Sequence, residues 1–127
     1  MRTPRDNPVV EDDEAVRRLT LTVLQARGYR ILEAFCGHTG LELFRKLHSE
    51  INLVLTDVVM PHSGPEMVNE ILELVPFAKI VFMTGTAGLV NFPQNLQRFP
   101  VLRKPFSIQE LIDHVQSALK EQTRSPV

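Results

Sequence analysis

The sequence predicts an α/β domain: a parallel sheet with helices on both faces. Three observations carry that expectation. Short apolar runs alternate with stretches of helical periodicity. The runs are mostly β-branched residues and leucine, as strands covered on both sides require. Four of them end on polar side chains, and chemistry in open parallel sheets collects at the carboxyl ends of the strands.

The first run is short, Val9-Val10, preceded by Asn7-Pro8 and followed by Glu11-Asp12-Asp13. Proline cannot donate to a ladder, so this strand is thin and its stability reduced. Val16, Leu19, Val23 and Ala26 then recur at helical spacing, and Gly28 stands where a left-handed cap would end a helix over residues 14–27. Residues 29–34 read as a second strand, 39–48 as a second helix and 51–56 as the central strand, which Asp57 terminates. Gly64-Pro65 opens a third helix carrying Met67, Val68, Ile71 and Val75 inward, and Pro76 stops it. Residues 78–83 form a fourth strand ending at Thr84.

From Thr84 to Pro100 the period is broken by Gly85, Gly88, Pro93 and Pro100, so any fourth helix is short. Residues 101–103 give a fifth strand ahead of Lys104. Ser107-Ile108-Gln109-Glu110 is a capping box for a last helix whose inner face is Ile108, Leu111, Ile112, Val115 and Leu119. Five strands alternating with about five helices require right-handed crossovers. Residues 1–7 and 121–127 read as flexible tails around a domain over 8–120.

The chain's 127 residues suffice for one core and not two, so a second domain is not expected within them. Hydrophobic residues make up 43% and charged residues 23%, with a net charge of -1, an ordinary soluble composition. Its 14 Lys and Arg are scattered among 15 Asp and Glu with no basic stripe between aromatics, so direct nucleic-acid binding is not expected. No apolar run approaches the roughly 18 residues of a membrane span, and the N-terminus lacks the apolar stretch of a signal peptide. The single Cys36 permits no internal disulfide, suits a reducing cytoplasm and is expected to pack rather than react. His38, His48, His62 and His114 show no metal-ligand spacing with one another and read as surface or helix residues.

Four motifs stand at strand ends: Val10-Glu11-Asp12-Asp13-Glu14, Leu55-Thr56-Asp57-Val58-Val59-Met60-Pro61, Phe82-Met83-Thr84-Gly85 and Lys104-Pro105-Phe106. In that order they resemble the receiver domain of two-component response regulators, over roughly residues 8–120. The wording around Asp57 and Lys104 is similar to receivers of hybrid histidine kinases. The resemblance implies a flavodoxin-like (βα)5 fold with strand order 2-1-3-4-5. It makes Asp57 the phosphoacceptor, Glu11 and Asp12 the acid pair, Thr84 the switch hydroxyl and Lys104 the site lysine. It also implies a metal ligand in the Val59 backbone carbonyl and a cis Lys104-Pro105 bond. The partner implied is a histidine kinase or phosphotransfer protein, and the chain would catalyse only its own phosphorylation and dephosphorylation.

The residue chemistry agrees with these roles. Converging carboxylates of Glu11, Asp12 and Asp57 repel one another, so that some stay protonated or a cation is recruited. An all-oxygen seat suits Mg²⁺, with Mn²⁺ able to substitute. Asp57 is then a nucleophile toward phosphorus, Lys104 a point charge for the transferring group, and Thr84 a hydroxyl donor to it. Asp13 and Glu14 read instead as helix-start residues favoured by the dipole.

The chain departs from the resemblance in two further places. The loop after Met60-Pro61 is one residue shorter than the common form, which shifts one side of the pocket. Val101 stands where many response regulators carry an aromatic that swings inward, so that switch is expected to be muted. Two rivals follow: a receiver-like interaction module that is never phosphorylated, and an aspartate-dependent phosphatase. The phosphatase needs a second Asp two residues after the nucleophile, where this chain has Val59.

Overall fold

The most apolar stretches of the chain form the middle of a five-stranded parallel sheet in this computed structural model, which describes residues 8–10, 14–28, 32–34 and 36–120. The strands are β1 (Pro8–Val10), β2 (Leu32–Ala34), β3 (Val54–Asp57), β4 (Ile80–Thr84) and β5 (Val101–Arg103). They lie in the order β2-β1-β3-β4-β5, all pairs parallel. Among the described residues four α-helices connect or flank them: α1 (Glu14–Ala26), α2 (Gly37–Leu47), α3 (Gly64–Leu74) and α4 (Ile108–Lys120). This is the flavodoxin-like order expected from the motifs.

Side chains on β3 and β4 alternate between two cores, one on each face of the sheet. Leu53, Leu55, Val81 and Met83 pack with Val23 and Leu24 of α1 and with Leu111, Ile112 and Val115 of α4. Val54, Ile80 and Phe82 pack with Leu41 and Phe44 of α2 and with Met67, Val68 and Ile71 of α3. Burying each such side chain contributes about 1.5–3 kcal/mol, so the two central strands anchor whatever stands at their ends.

Local chemistry sets the helix ends. The Ser63 hydroxyl accepts the Glu66 N–H at 3.2 Å ahead of Pro65 in the first turn of α3. The capping box before α4 is reciprocal: Glu110 N–H donates to Ser107 Oγ at 3.0 Å, and Ser107 N–H to Glu110 Oε1 at 2.8 Å. Gly28, with φ of 84°, supplies the left-handed conformation after α1.

The structure corrects three expectations. Leu19 is 40% exposed and Ile108 48% exposed; among the described side chains of α1 the buried ones are Val23 and Leu24, and the buried stripe of α4 begins at Leu111. The central strand starts later than residue 51, and the polar residues Asp57 and Thr84 are the last residues of β3 and β4 rather than the first beyond them. Between β4 and β5 there is no α-helix; the chain makes 3₁₀ turns at Thr86–Leu89 and Gln94–Leu96. Pro93 and a left-handed Asn91 at φ 62° interrupt the ladder. Apolar contact holds the segment instead. Leu96 is fully buried, and Phe92 and Phe99 meet the Phe82 ring edge-on at centroid distances of 5.1 and 6.3 Å. Among the described residues no helix is long and apolar enough to cross a membrane.

Candidate functional site

Strand register assembles the site. Asp57 lies opposite Met83, and Thr84 opposite Arg103, so Asp57, Thr84 and the residue after β5, Lys104, all reach the carboxyl edge of the sheet. β1 runs toward the same edge, with Val10 beside Thr56. Glu11, Asp12 and Asp13 follow Val10 and lie outside the described residues.

Asp57 is 5% exposed and its carboxylate is held from two sides. Lys104 Nζ donates to Oδ2 at 2.5 Å, and the Val59 backbone N–H donates to Oδ1 at 3.0 Å. A charge taken out of water is costly unless it is paired and hydrogen-bonded, and both conditions are met here. The lysine is itself anchored through its backbone, whose N–H donates to the Thr84 carbonyl at 2.9 Å, and Lys104-Pro105 is cis. Thr84 is 1% exposed; its hydroxyl donates to the Gly85 carbonyl at 3.0 Å. The structure thus brings Asp57, Thr84 and Lys104 together at one sheet edge.

Val59 turns its side chain to solvent, being 58% exposed, and among the described residues no group donates to its carbonyl oxygen. A carboxylate and an unclaimed backbone carbonyl form an all-oxygen donor set of the hard kind that Mg²⁺ prefers. The described part of the site therefore fits that ion. Among the described residues there is no group of three His, Cys, Asp or Glu side chains placed to hold a metal.

Sequence reading passed over three supports. Thr56 is buried, with its hydroxyl donating to the Asp57 carbonyl at 2.9 Å. Gly64 and Gly88 are seats for the site: a Cβ at Gly64 would stand 2.1 Å from the Asp57 carbonyl oxygen, and one at Gly88 1.7 Å from Thr84 Oγ1. Their signal is weak, since Gly64 also reads as a helix start and Gly88 as a helix breaker. Beside Lys104 opens an apolar cleft of about 330 Å³, lined among the described residues by Leu19, Lys104, Pro105 and Phe106. Cys36 is half-buried at the start of α2, with Sγ 3.5 Å from Thr39 Oγ1. Hydrogen bonding from the Thr39 side chain and backbone holds its thiol below the ordinary thiol range.

An aspartate, a hydroxyl and a lysine at the carboxyl edge of a 2-1-3-4-5 sheet define a class of signalling module. Residues 8–116 match the response regulator receiver domain family, and the chain belongs to it, which places it in two-component signal transduction. It is 38% identical over 118 residues to the sensor kinase CckA of Brucella abortus (strain 2308), a match covering 90% of this chain and 12% of CckA. It is 31% identical over 115 residues to the response regulator receiver protein CpdR of the same strain, covering 87% of this chain and 93% of CpdR. The chain therefore spans a small part of the first relative and nearly all of the second. Among solved structures, a response regulator receiver domain protein from Clostridium thermocellum superposes with a TM-score of 0.82 at 26% identity, over 93% of this chain and 96% of that one. The receiver domain of the hybrid histidine kinase CckA superposes with a TM-score of 0.74 at 29% identity, over 88% and 96%.

Proposed function

We propose that this receiver takes a phosphoryl group from the phosphohistidine of a histidine kinase or phosphotransfer protein onto Asp57, and signals through the resulting change at Thr84 and Lys104. The observation that carries the reading is the buried Asp57 carboxylate paired with Lys104 at 2.5 Å, with Thr84 ending the next strand. The reactive domain is residues 8–120, and the lone half-buried thiol suits a reducing cytoplasm.

Asp57 attacks phosphorus in line with one carboxylate oxygen; the bond from phosphorus to the donor nitrogen breaks, and the imidazole leaves with the electron pair. Lys104 faces the carboxylate and is placed to pair with a phosphoryl oxygen once Asp57 gives up its charge to the acyl phosphate. The Val59 N–H holds the second carboxylate oxygen and so fixes the direction of attack. Thr84 can exchange its bond to the Gly85 carbonyl for one to a phosphoryl oxygen. Asp57 and the Val59 carbonyl, with Glu11 and Asp12, would hold Mg²⁺ or Mn²⁺, which when bound neutralises charge on the transferring group.

The apolar cleft of Leu19, Pro105 and Phe106 beside Lys104 offers a landing surface for the phosphodonor protein, next to the reacting carboxylate. Val59 has no carboxyl group, so the aspartate-dependent phosphatase reading lacks its acid and base. The domain turns over nothing beyond its own acyl phosphate.

Intact mass after incubation with acetyl phosphate or phosphoramidate tests the reading. Wild type should gain one phosphoryl group, dependent on Mg²⁺, and Asp57→Asn none. An equal and persistent gain in Asp57→Asn would overturn it, and no gain in wild type would favour the inert interaction module.

A further inference from the structure

The fold unites two histidines whose spacing in the sequence says nothing. His38 lies in the first turn of α2 and His62 in the loop from β3 to α3, and their ring centroids stand 5.2 Å apart with planes inclined by 37°. Both residues are exposed. Their backbones are locked to each other: Gly37 N–H donates to the Pro61 carbonyl at 3.1 Å, and a Cβ on Gly37 would stand 1.9 Å from the His62 carbonyl oxygen. His62 itself holds a φ of 54°, a left-handed conformation that few non-glycine residues adopt. Strain of this kind persists where the surroundings over-determine it, and it is often tied to function.

Two exposed imidazoles present borderline nitrogen donors, which suit Zn²⁺, Ni²⁺ and Cu²⁺ and not Mg²⁺. With a metal–nitrogen distance of about 2.1 Å and the bond angles of tetrahedral or square sites, two imidazoles on one ion place their centroids roughly 5 Å apart. The observed spacing of 5.2 Å falls in that range. We propose that His38 and His62 form a surface site for a late first-row divalent ion, bound through one nitrogen of each ring with water completing its shell. The site differs in donor chemistry from the carboxylate seat at Asp57 and does not rest on phosphorylation. An ion there would clasp α2 to the loop that begins at Val58, directly after Asp57.

Calorimetric titration of the full chain with NiCl₂, in excess MgCl₂ to occupy carboxylate sites, tests the inference. Wild type should bind one Ni²⁺. His38→Ala and His62→Ala should each weaken binding at least about tenfold, the lower bound reported even for residues that only support metal ligands. His48→Ala and His114→Ala, on other faces, should leave it unchanged, as should Cys36→Ser. Paramagnetic broadening by Ni²⁺ should centre on the amides of His38 and His62. Wild-type affinity in either His38→Ala or His62→Ala would overturn the site, as would a loss in Cys36→Ser equal to that in His38→Ala. Both histidines are exposed, so unchanged melting temperatures should accompany the loss of binding and separate it from misfolding.

Discussion

Gly88 offers the sharpest test of how the candidate switch is packed. A Cβ there would stand 1.7 Å from Thr84 Oγ1, 3.0 Å from Thr84 Cβ and 3.3 Å from Val58 Cβ. The backbone at Gly88 tolerates alanine, since its φ lies outside the left-handed region. On that ground alone Gly88→Ala would stabilise by about 0.4–1 kcal/mol, through the entropy of the unfolded chain. Overpacking opposes it at about 1–3 kcal/mol. Rotating Thr84 relieves the shortest contact but breaks the 3.0 Å bond to the Gly85 carbonyl and leaves Thr84 Cβ where it is. The net expectation is a loss of about 1–2 kcal/mol, a fall in Tm of roughly 4–8 °C for a domain of this size. In a Thr84→Ala background the 1.7 Å contact is gone, so Gly88→Ala should cost less by about 1 kcal/mol. Urea denaturation of the four variants, followed by circular dichroism, measures that coupling. Equal costs of Gly88→Ala in both backgrounds would refute the packing of Thr84 against this turn.

Gly64→Ala meets backbone rather than side chain, the Asp57 carbonyl at 2.1 Å, so it should cost about 3 kcal/mol or more and slow phosphoryl uptake up to about a hundredfold, as read by denaturation and timed intact mass. Ser107→Ala removes the cap of α4 and should cost about 1 kcal/mol, measured as a lower urea midpoint at unchanged m-value. Thr39→Val should raise the Cys36 thiol, because the Thr39 hydrogen bonds hold it down, and so slow its alkylation by iodoacetamide at about pH 8. The linked stability has the same sign: a depressed folded value stabilises above the unfolded thiol value of about 8.5 and is lost as pH falls through the folded one, so Thr39→Val should cost more in alkali than at neutral pH.

The parallel sheet was legible because β3 and β4 are buried on both faces, and a continuous apolar run ending on a polar residue is the direct imprint of that environment. Asp57, Thr84 and Lys104 could be found from those endings. The orientation of α1 was less legible. Leu19 sits at helical spacing with Val23, yet lies on the rim beside Phe106 and Lys104, because periodicity fixes a stripe and not where along the helix the covering neighbour stops. Ile108 faced the same ambiguity in the first turn of α4. The segment 85–100 read as irregular, but nothing in its spacing revealed that Phe92 and Phe99 close on Phe82, a contact made in the core on the α2 and α3 face of the sheet. Gly37 is required by His62 across the chain, while Gly64 and Gly88 are required by Asp57 and Thr84 at the ends of the preceding strands, contacts that a linear reading does not distinguish from those of turn glycines.

That aromatic contact bears on how a change at Asp57 would travel. Thr84 ends β4 and touches the turn Thr86–Leu89 through Gly88, while Phe82, two residues back on the same strand, supports the rest of the segment through Phe92 and Phe99. The segment is fastened at its far side by the Asn95 side-chain amide donating to Asn69 Oδ1 of α3 at 2.9 Å. Val101, half-buried and without a ring, has little to rotate. A hydroxyl drawn from Gly85 toward a phosphoryl oxygen would therefore vacate the contact that seats Gly88, and the turn rather than β5 would take up the displacement. Directly after the turn stands Val90, 67% exposed, so a change there would reach solvent without passing through an aromatic on β5. Amide shifts with and without beryllofluoride should accordingly concentrate at Thr84–Val90 and stay small at Val101–Arg103; the reverse distribution would place the switch on β5 after all.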